Sequence, residues 1–159
     1  MINRIFTRAL CILFMSYVMP GMGWAQETSR RAVIQVSMDY AEAMYTADTE
    51  IMESCLHDNF IKYGYYWKGS TETFSDMTRI TRDQMVQIAN DWNKDKWVPA
   101  DAPKDVALLD MQEKIAVVKL TAYWGIEYLQ IAEVGSAWKI VQVLSQNWSK
   151  KLSQEEEDR

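Results

Sequence analysis

The chain is short of the residues that staple or metallate small folds. It has two cysteines, Cys11 and Cys55, and one histidine, His57, in 159 residues. One histidine excludes a histidine-rich metal site or a histidine dyad, and His57-Asp58 could at best supply part of a mixed site. No metal and no cofactor are expected. Basic residues are outnumbered, 17 against 22 acidic, for a net charge of −5. That balance disfavours nucleic acid and anionic membrane surfaces, both of which reward clustered Lys and Arg. Small molecules and proteins remain as partners. There is no internal repeat, and the one biased stretch is the acidic Glu155-Glu156-Glu157-Asp158.

The first 25 residues carry Arg4 and Arg8 but no carboxylate, then an apolar run from Ala9 to Met19, the helix-breaking Pro20-Gly21, and a small-residue end, Gly23-Trp24-Ala25. The run is well short of the ~20 residues a membrane-spanning helix needs, so residues 1–25 read as a signal peptide, with Gln26 the first mature residue. The expected location is periplasmic or secreted, with no membrane attachment after cleavage. Cys11 leaves with the signal, and Cys55 alone cannot close an internal disulfide. About 134 residues remain, enough to bury a core as one domain. That domain is expected over 26–149, with 150–159 a disordered acidic tail.

A helix is expected over 29–47, capped by Thr28 or Ser29, with the apolar stripe Val33, Val36, Tyr40, Ala43, Ala47. Asp48 caps a shorter helix that places Ile51, Met52, Cys55 and Leu56 on one side and ends at His57-Asp58-Asn59. Phe60 to Trp67 suits a strand, and 70–80 a loop. Thr81 and Gln84 form a capping box for a third helix carrying Met85, Ile88, Ala89 and Trp92. Pro99 and Pro103 bracket an irregular connection. Then come β-rich runs, Val106–Met111, Lys114–Trp124, Ile126–Val134 and Trp138–Trp148, with Gly125 marking a bulge in one long bent strand. Helices followed by an antiparallel sheet imply an α+β fold, with the helices on one sheet face.

Glu127 is the one carboxylate inside an otherwise apolar strand. Pointing inward it could act as acid or base; otherwise it faces solvent or pairs with Lys119 or Lys139 across the sheet. Cys55 reads as core and His57 as a helix-end cation. Aromatics could stack on a flat ligand, and a single cavity lined by Tyr40, Tyr63, Tyr65, Trp92 and Glu127, with Trp67 as a further ligand contact, is expected between helices and sheet. Trp124 and Trp138 are expected in the core. Strands with apolar residues in both phases, such as Ile140 and Leu144 against Val141 and Val143, suggest a sheet covered on both faces.

Several strings carry a resemblance: Tyr40-Ala41-Glu42-Ala43, Ala47-Asp48, Leu56-His57-Asp58, Lys62-Tyr63-Gly64-Tyr65, Ala116 to Ala122, Trp124-Gly125-Ile126-Glu127-Tyr128-Leu129, and Trp138-Lys139-Ile140-Val141 before Val143-Leu144. Over roughly residues 31–148 the chain resembles the nuclear-transport-factor-2-like superfamily, and within it the bacterial "putative lumazine-binding" family, apart from Asp58 where that family often has proline. The resemblance implies a cone-shaped fold of three helices on a curved antiparallel sheet, a small-molecule ligand and a homodimer. It also implies that Tyr40 stands where the superfamily's isomerases and cyclases keep a hydroxyl donor. Their acidic base near the end of the first strand is missing from Lys62-Tyr63-Gly64-Tyr65. The leading expectation is therefore an exported pocket protein without catalysis. The alternatives are an acid/base isomerase, cyclase or dehydratase using Glu127 with Tyr40, and a homodimeric structural or interaction module with a filled cone.

Overall fold

Helix formation starts earlier than the capping residues suggest. In the computed structural model, which describes residues 21–99 and 101–149, α1 runs Gly21–Thr46. Gly21 opens this helix instead of breaking it, and Glu27 and Arg31 form an i,i+4 ion pair at 3.2 Å across the expected cap. The first 20 residues of the expected signal and the tail from 150 lie outside the described residues. Val33, Val36, Tyr40 and Ala43 are buried as the stripe requires. Ala47 instead takes a left-handed φ of 55° just past the helix.

The Asp48 side chain accepts from the Ile51 N–H at 2.9 Å and caps α2 (Thr49–Cys55). The backbone is already extended at Leu56, so β1 (Leu56–Tyr65) begins without a loop. His57, Asp58 and Asn59 therefore belong to the strand rather than ending a helix. His57 therefore does not stand at a helix end, and its Nδ1 accepts from the Asn59 N–H at 3.0 Å within the strand.

The segment expected as a loop holds two short strands. After β2 (Trp67–Lys68), β3 (Thr73–Phe74) pairs back onto it, and β4 (Thr78–Thr81) pairs with β1, Gly64 opposite Thr78. Only Ile80 of β4 is buried. A four-residue edge strand leaves too little alternation to read. The Thr81–Gln84 capping box then starts α3 (Arg82–Trp92).

The last third supplies β5 (Asp105–Met111), β6 (Ile115–Ala122), β7 (Gly125–Val134) and β8 (Ala137–Asn147). The curved sheet runs β4-β1-β8-β7-β6-β5 and is antiparallel except where β1 lies parallel to β8. Gly125 is not a bulge. Ala122 pairs with Gly125, so Tyr123-Trp124 is a two-residue turn and Gly125 opens β7 with a φ of +149°. The bulge is in β8: Ile131 pairs with Ile140 but Gln130 with Gln142, leaving Val141 as the extra residue. Ile140 and Val143 both face the helices because the strand changes phase between them. What reads as two apolar faces is largely one face with a step in it.

The helices cover the inward face, burying Tyr40, Met52 and Met85 against Leu120, Leu129, Ile140 and Val143. Cys55 is part of this core, and burial pushes its thiol up to about 11, leaving it un-ionised near neutrality.

Candidate functional site

Along β1 the inward residues are Phe60, Lys62 and Gly64, so a lysine points into the core. On β7 the inward phase is Gly125, Glu127, Leu129 and Ile131. The two charged residues are separated by β8, and neighbouring strands lie about 4.8 Å apart. Their side chains meet above Val143 and Ser145, which pair with Lys62 and Glu127 respectively. Lys62 Nζ donates to Glu127 Oε1 in a salt bridge with both groups buried. Lys62 Nζ also donates to the Tyr40 hydroxyl at 3.3 Å, and Trp124 Nε1 donates to Glu127 Oε1 at 3.0 Å. The Tyr40 hydroxyl donates in turn to Met85 Sδ at 3.7 Å. Glu127 Oε2 is buried with no hydrogen-bond partner among the described residues.

Burial, with Glu127's negative charge second, holds the Tyr40 phenol well above its usual range; the same two causes raise Tyr66. The direction has a consequence for stability. Below about pH 10 folded and unfolded chains both keep these protons, but above it the unfolded chain releases them and the fold does not. Stability is expected to fall as pH rises past about 10, and Tyr40→Phe to flatten that decline. Denaturant titrations on either side of pH 10, alongside phenolate absorbance, check it. Equal slopes in both proteins would show that Tyr40 titrates as a free phenol.

A second feature sits at the end of the sheet where β1, β6, β7 and β8 finish or start. Tyr45 anchors it: its hydroxyl donates to the Pro103 carbonyl at 2.9 Å and accepts from the Tyr123 N–H at 3.0 Å. The buried Asn93 amide donates to the Tyr45 carbonyl and accepts from the Val98 N–H, fixing the loop that carries Trp97. Around these anchors Trp67, Trp92, Trp97, Tyr123, Trp124 and Trp148, with Asn147, line an open cleft of about 260 Å³. Trp97 and Tyr123 are about half exposed at its rim.

The expected single cavity divides in two and loses two members. Tyr40 and Glu127 meet in the buried cluster, and Trp67 and Trp92 meet in the cleft. Tyr63 and Tyr65 share a phase, but it is the outward one, because Lys62 and Gly64 take the inward positions. Glu127 pairs with neither lysine considered for it: Lys119 lies opposite Tyr128, and Lys139 Nζ donates to the Ser54 carbonyl. Trp138 is core as expected, while Trp124 is both core and cleft wall. Sequence reasoning missed Lys62, Trp97, Tyr123, Asn147 and Trp148. The available signal for Lys62 was its phase, shared with Phe60. Among the described residues no cluster of three His, Cys, Asp or Glu could hold a metal ion.

Comparison with known proteins gives two findings. The family described as "Putative lumazine-binding" matches residues 28–144. Solved structures with the same fold include a nuclear-transport-factor-2-like protein of unknown function from Silicibacter pomeroyi, with TM-score 0.59 and 15% identity, covering 77% of this chain and 98% of that one. A similar protein of unknown function from Shewanella baltica has TM-score 0.57 and 14% identity, with coverage of 78% and 97%. One from Methylobacillus flagellatus has TM-score 0.56 and 14% identity, with coverage of 77% and 94%. At such identities the likeness speaks to fold alone. No curated protein matches.

Proposed function

The chain belongs to the family described as "Putative lumazine-binding", with a nuclear-transport-factor-2-like fold, and from that premise we propose an exported protein that binds a small, partly apolar molecule in its aromatic cleft. The cleft carries this reading. Six aromatic side chains line one open concavity, whose Trp97 loop is tied down by the buried Asn93 and whose Tyr123 turn is tied to Tyr45, and concave aromatic sites with few polar groups are what small ligands occupy. The buried cluster serves the site from behind, since Trp124 forms one wall and donates to Glu127. Glu127 and Tyr40 are both fully buried and Glu127 is held by Lys62, so neither is offered to a ligand in this arrangement.

Export rests on the basic start, short apolar run and small-residue end of residues 1–25. Self-association rests on the outward sheet face, where Leu144 lies between Tyr63 and Tyr128, and where Tyr65, Tyr128 and Leu144 are exposed at 39, 44 and 48%. A second copy of the chain presents the same surface and is the proposed occupant.

Native mass spectrometry of the protein secreted by its own host tests all three parts at once. The expected spectrum shows a chain beginning at Gln26, a dimer, and a retained low-mass ligand that Trp92→Ala loses. A chain that keeps Met1 would remove export, a monomer at micromolar concentration would remove the dimer, and a ligand retained equally by Trp92→Ala would remove the cleft.

A further inference from the structure

Taking the cleft as the binding site, we infer that its ligand is a compact organic cation, a quaternary or methylated ammonium, held by cation–π contact. The walls are set at steep angles to one another. Trp92 meets Trp97 at 63° and Trp124 at 84°, and Trp97 meets Tyr123 at 71°. A flat ring is gripped by parallel walls, whereas mutually inclined walls make a box suited to a rounded group.

The chemistry of the walls points the same way. The indole N–H groups of three of them are committed inside the protein: Trp97 donates to the Trp92 carbonyl at 2.7 Å, Trp148 to the Ala122 carbonyl at 3.1 Å, and Trp124 to Glu127. The rest of the lining is ring surface and Asn147, and among the described residues no charged side chain lines the cleft. Among the described residues an anion would find no cation there, and a ligand rich in acceptors would find few donors. A methylated ammonium has no need of either, because its methyl groups bury against rings whose negative faces attract its charge. The hydrogen bond from Trp124 to a carboxylate adds electron density to that indole.

The same cluster already holds one ammonium on its far side. Lys104 Nζ sits 4.8 Å from the Tyr45 ring centroid, and Tyr45 packs on Trp92 and Trp124. Lys104 is paired with Glu42 at 2.9 Å, so it does not repel a second cation. The negative net charge of the chain favours a cation's approach.

The test uses the intact protein and follows tryptophan fluorescence and calorimetry with three probes: choline, its neutral isostere 3,3-dimethylbutan-1-ol, and lumazine, the compound named in the family's description. Choline is expected to bind at least roughly tenfold more tightly than the isostere, and Trp97→Leu, which keeps apolar bulk at an exposed position, to remove most of that preference. Phosphatidylcholine vesicles separate the sources: capture by vesicles as well as choline supports the ammonium chemistry and names a lipid headgroup, while choline alone names the free compound. Equal binding of choline and isostere would overturn the inference and leave the cleft as an apolar site. Lumazine binding without choline binding would overturn it in favour of a flat ligand. Failure of all three probes to bind, together with a ligand-free native spectrum, would overturn both the inference and the proposed function.

Discussion

Glu127→Gln is expected to lose about 3–5 kcal/mol of unfolding free energy, because it leaves the Lys62 ammonium buried with no opposite charge. Lys62→Met should lose a similar amount by stranding the carboxylate. The double variant is the decisive measurement. It removes both charges, keeps an amide oxygen for Trp124 Nε1, and replaces the lysine stem with similar volume, so it should recover most of the loss. Urea titrations of the four proteins give the coupling energy, expected at about 2 kcal/mol or more. Single losses below about 1 kcal/mol that simply add would mean that water reaches the pair and that it does not tie β1 to β7.

Gly125→Ala is the second large effect. A Cβ at this position would lie 2.2 Å from the Gln146 carbonyl oxygen and 2.7 Å from Asn147 Cα, both backbone atoms of β8, at a φ of +149° that side chains rarely adopt. Strain alone costs roughly 1–3 kcal/mol, and parting β7 from β8 adds to it, so a loss above about 3 kcal/mol is expected. Gly135 provides the contrast. Its φ is also positive, at +64°, but a Cβ there meets nothing within 4 Å, and Gly135→Ala should cost only about 1 kcal/mol. Thermal and urea unfolding of the two variants check the difference. Equal losses would show that the φ angle matters and the close approach to β8 does not.

Much of the scaffold was legible because its signals are local. The Thr81–Gln84 capping box, the Asp48 cap and the four β-rich runs of the last third each depend on residues within a few positions of one another, and each is found where expected. The site was less legible because distant residues decide it. Tyr63 and Tyr65 share a phase and Lys62 takes the other, and nothing near them in the chain pairs with a buried lysine, so the tyrosines are expected inward. Only a carboxylate two strands away reverses that, and β1 and β7 lie far apart in the chain. Glu127 has apolar neighbours in both phases, so periodicity could not orient it. The phase step at Val141 has no composition of its own and made one face look like two. Trp67 and Trp92 could be singled out as aromatic, but the cleft they share depends on Asn93 and Tyr45 folding a loop and a turn against each other.

The parallel pairing of β1 with β8 also sets an order of events in time. Ser145 lies against Tyr63, 82 positions earlier, and until that contact forms, β1 has only the short β4 beside it. Two-stranded ribbons of that size do not persist alone in water, and closing so long a loop is slow compared with forming helices or neighbouring hairpins. The β5 to β8 meander can assemble first from local contacts, with α1 and α2 packing onto it. Contact order favours β1 as the closing strand, so the desolvation of Lys62 is expected to coincide with its capture by Glu127. β1 can therefore dock only once the chain extends as far as β8, the strand that lies between Lys62 and its partner Glu127.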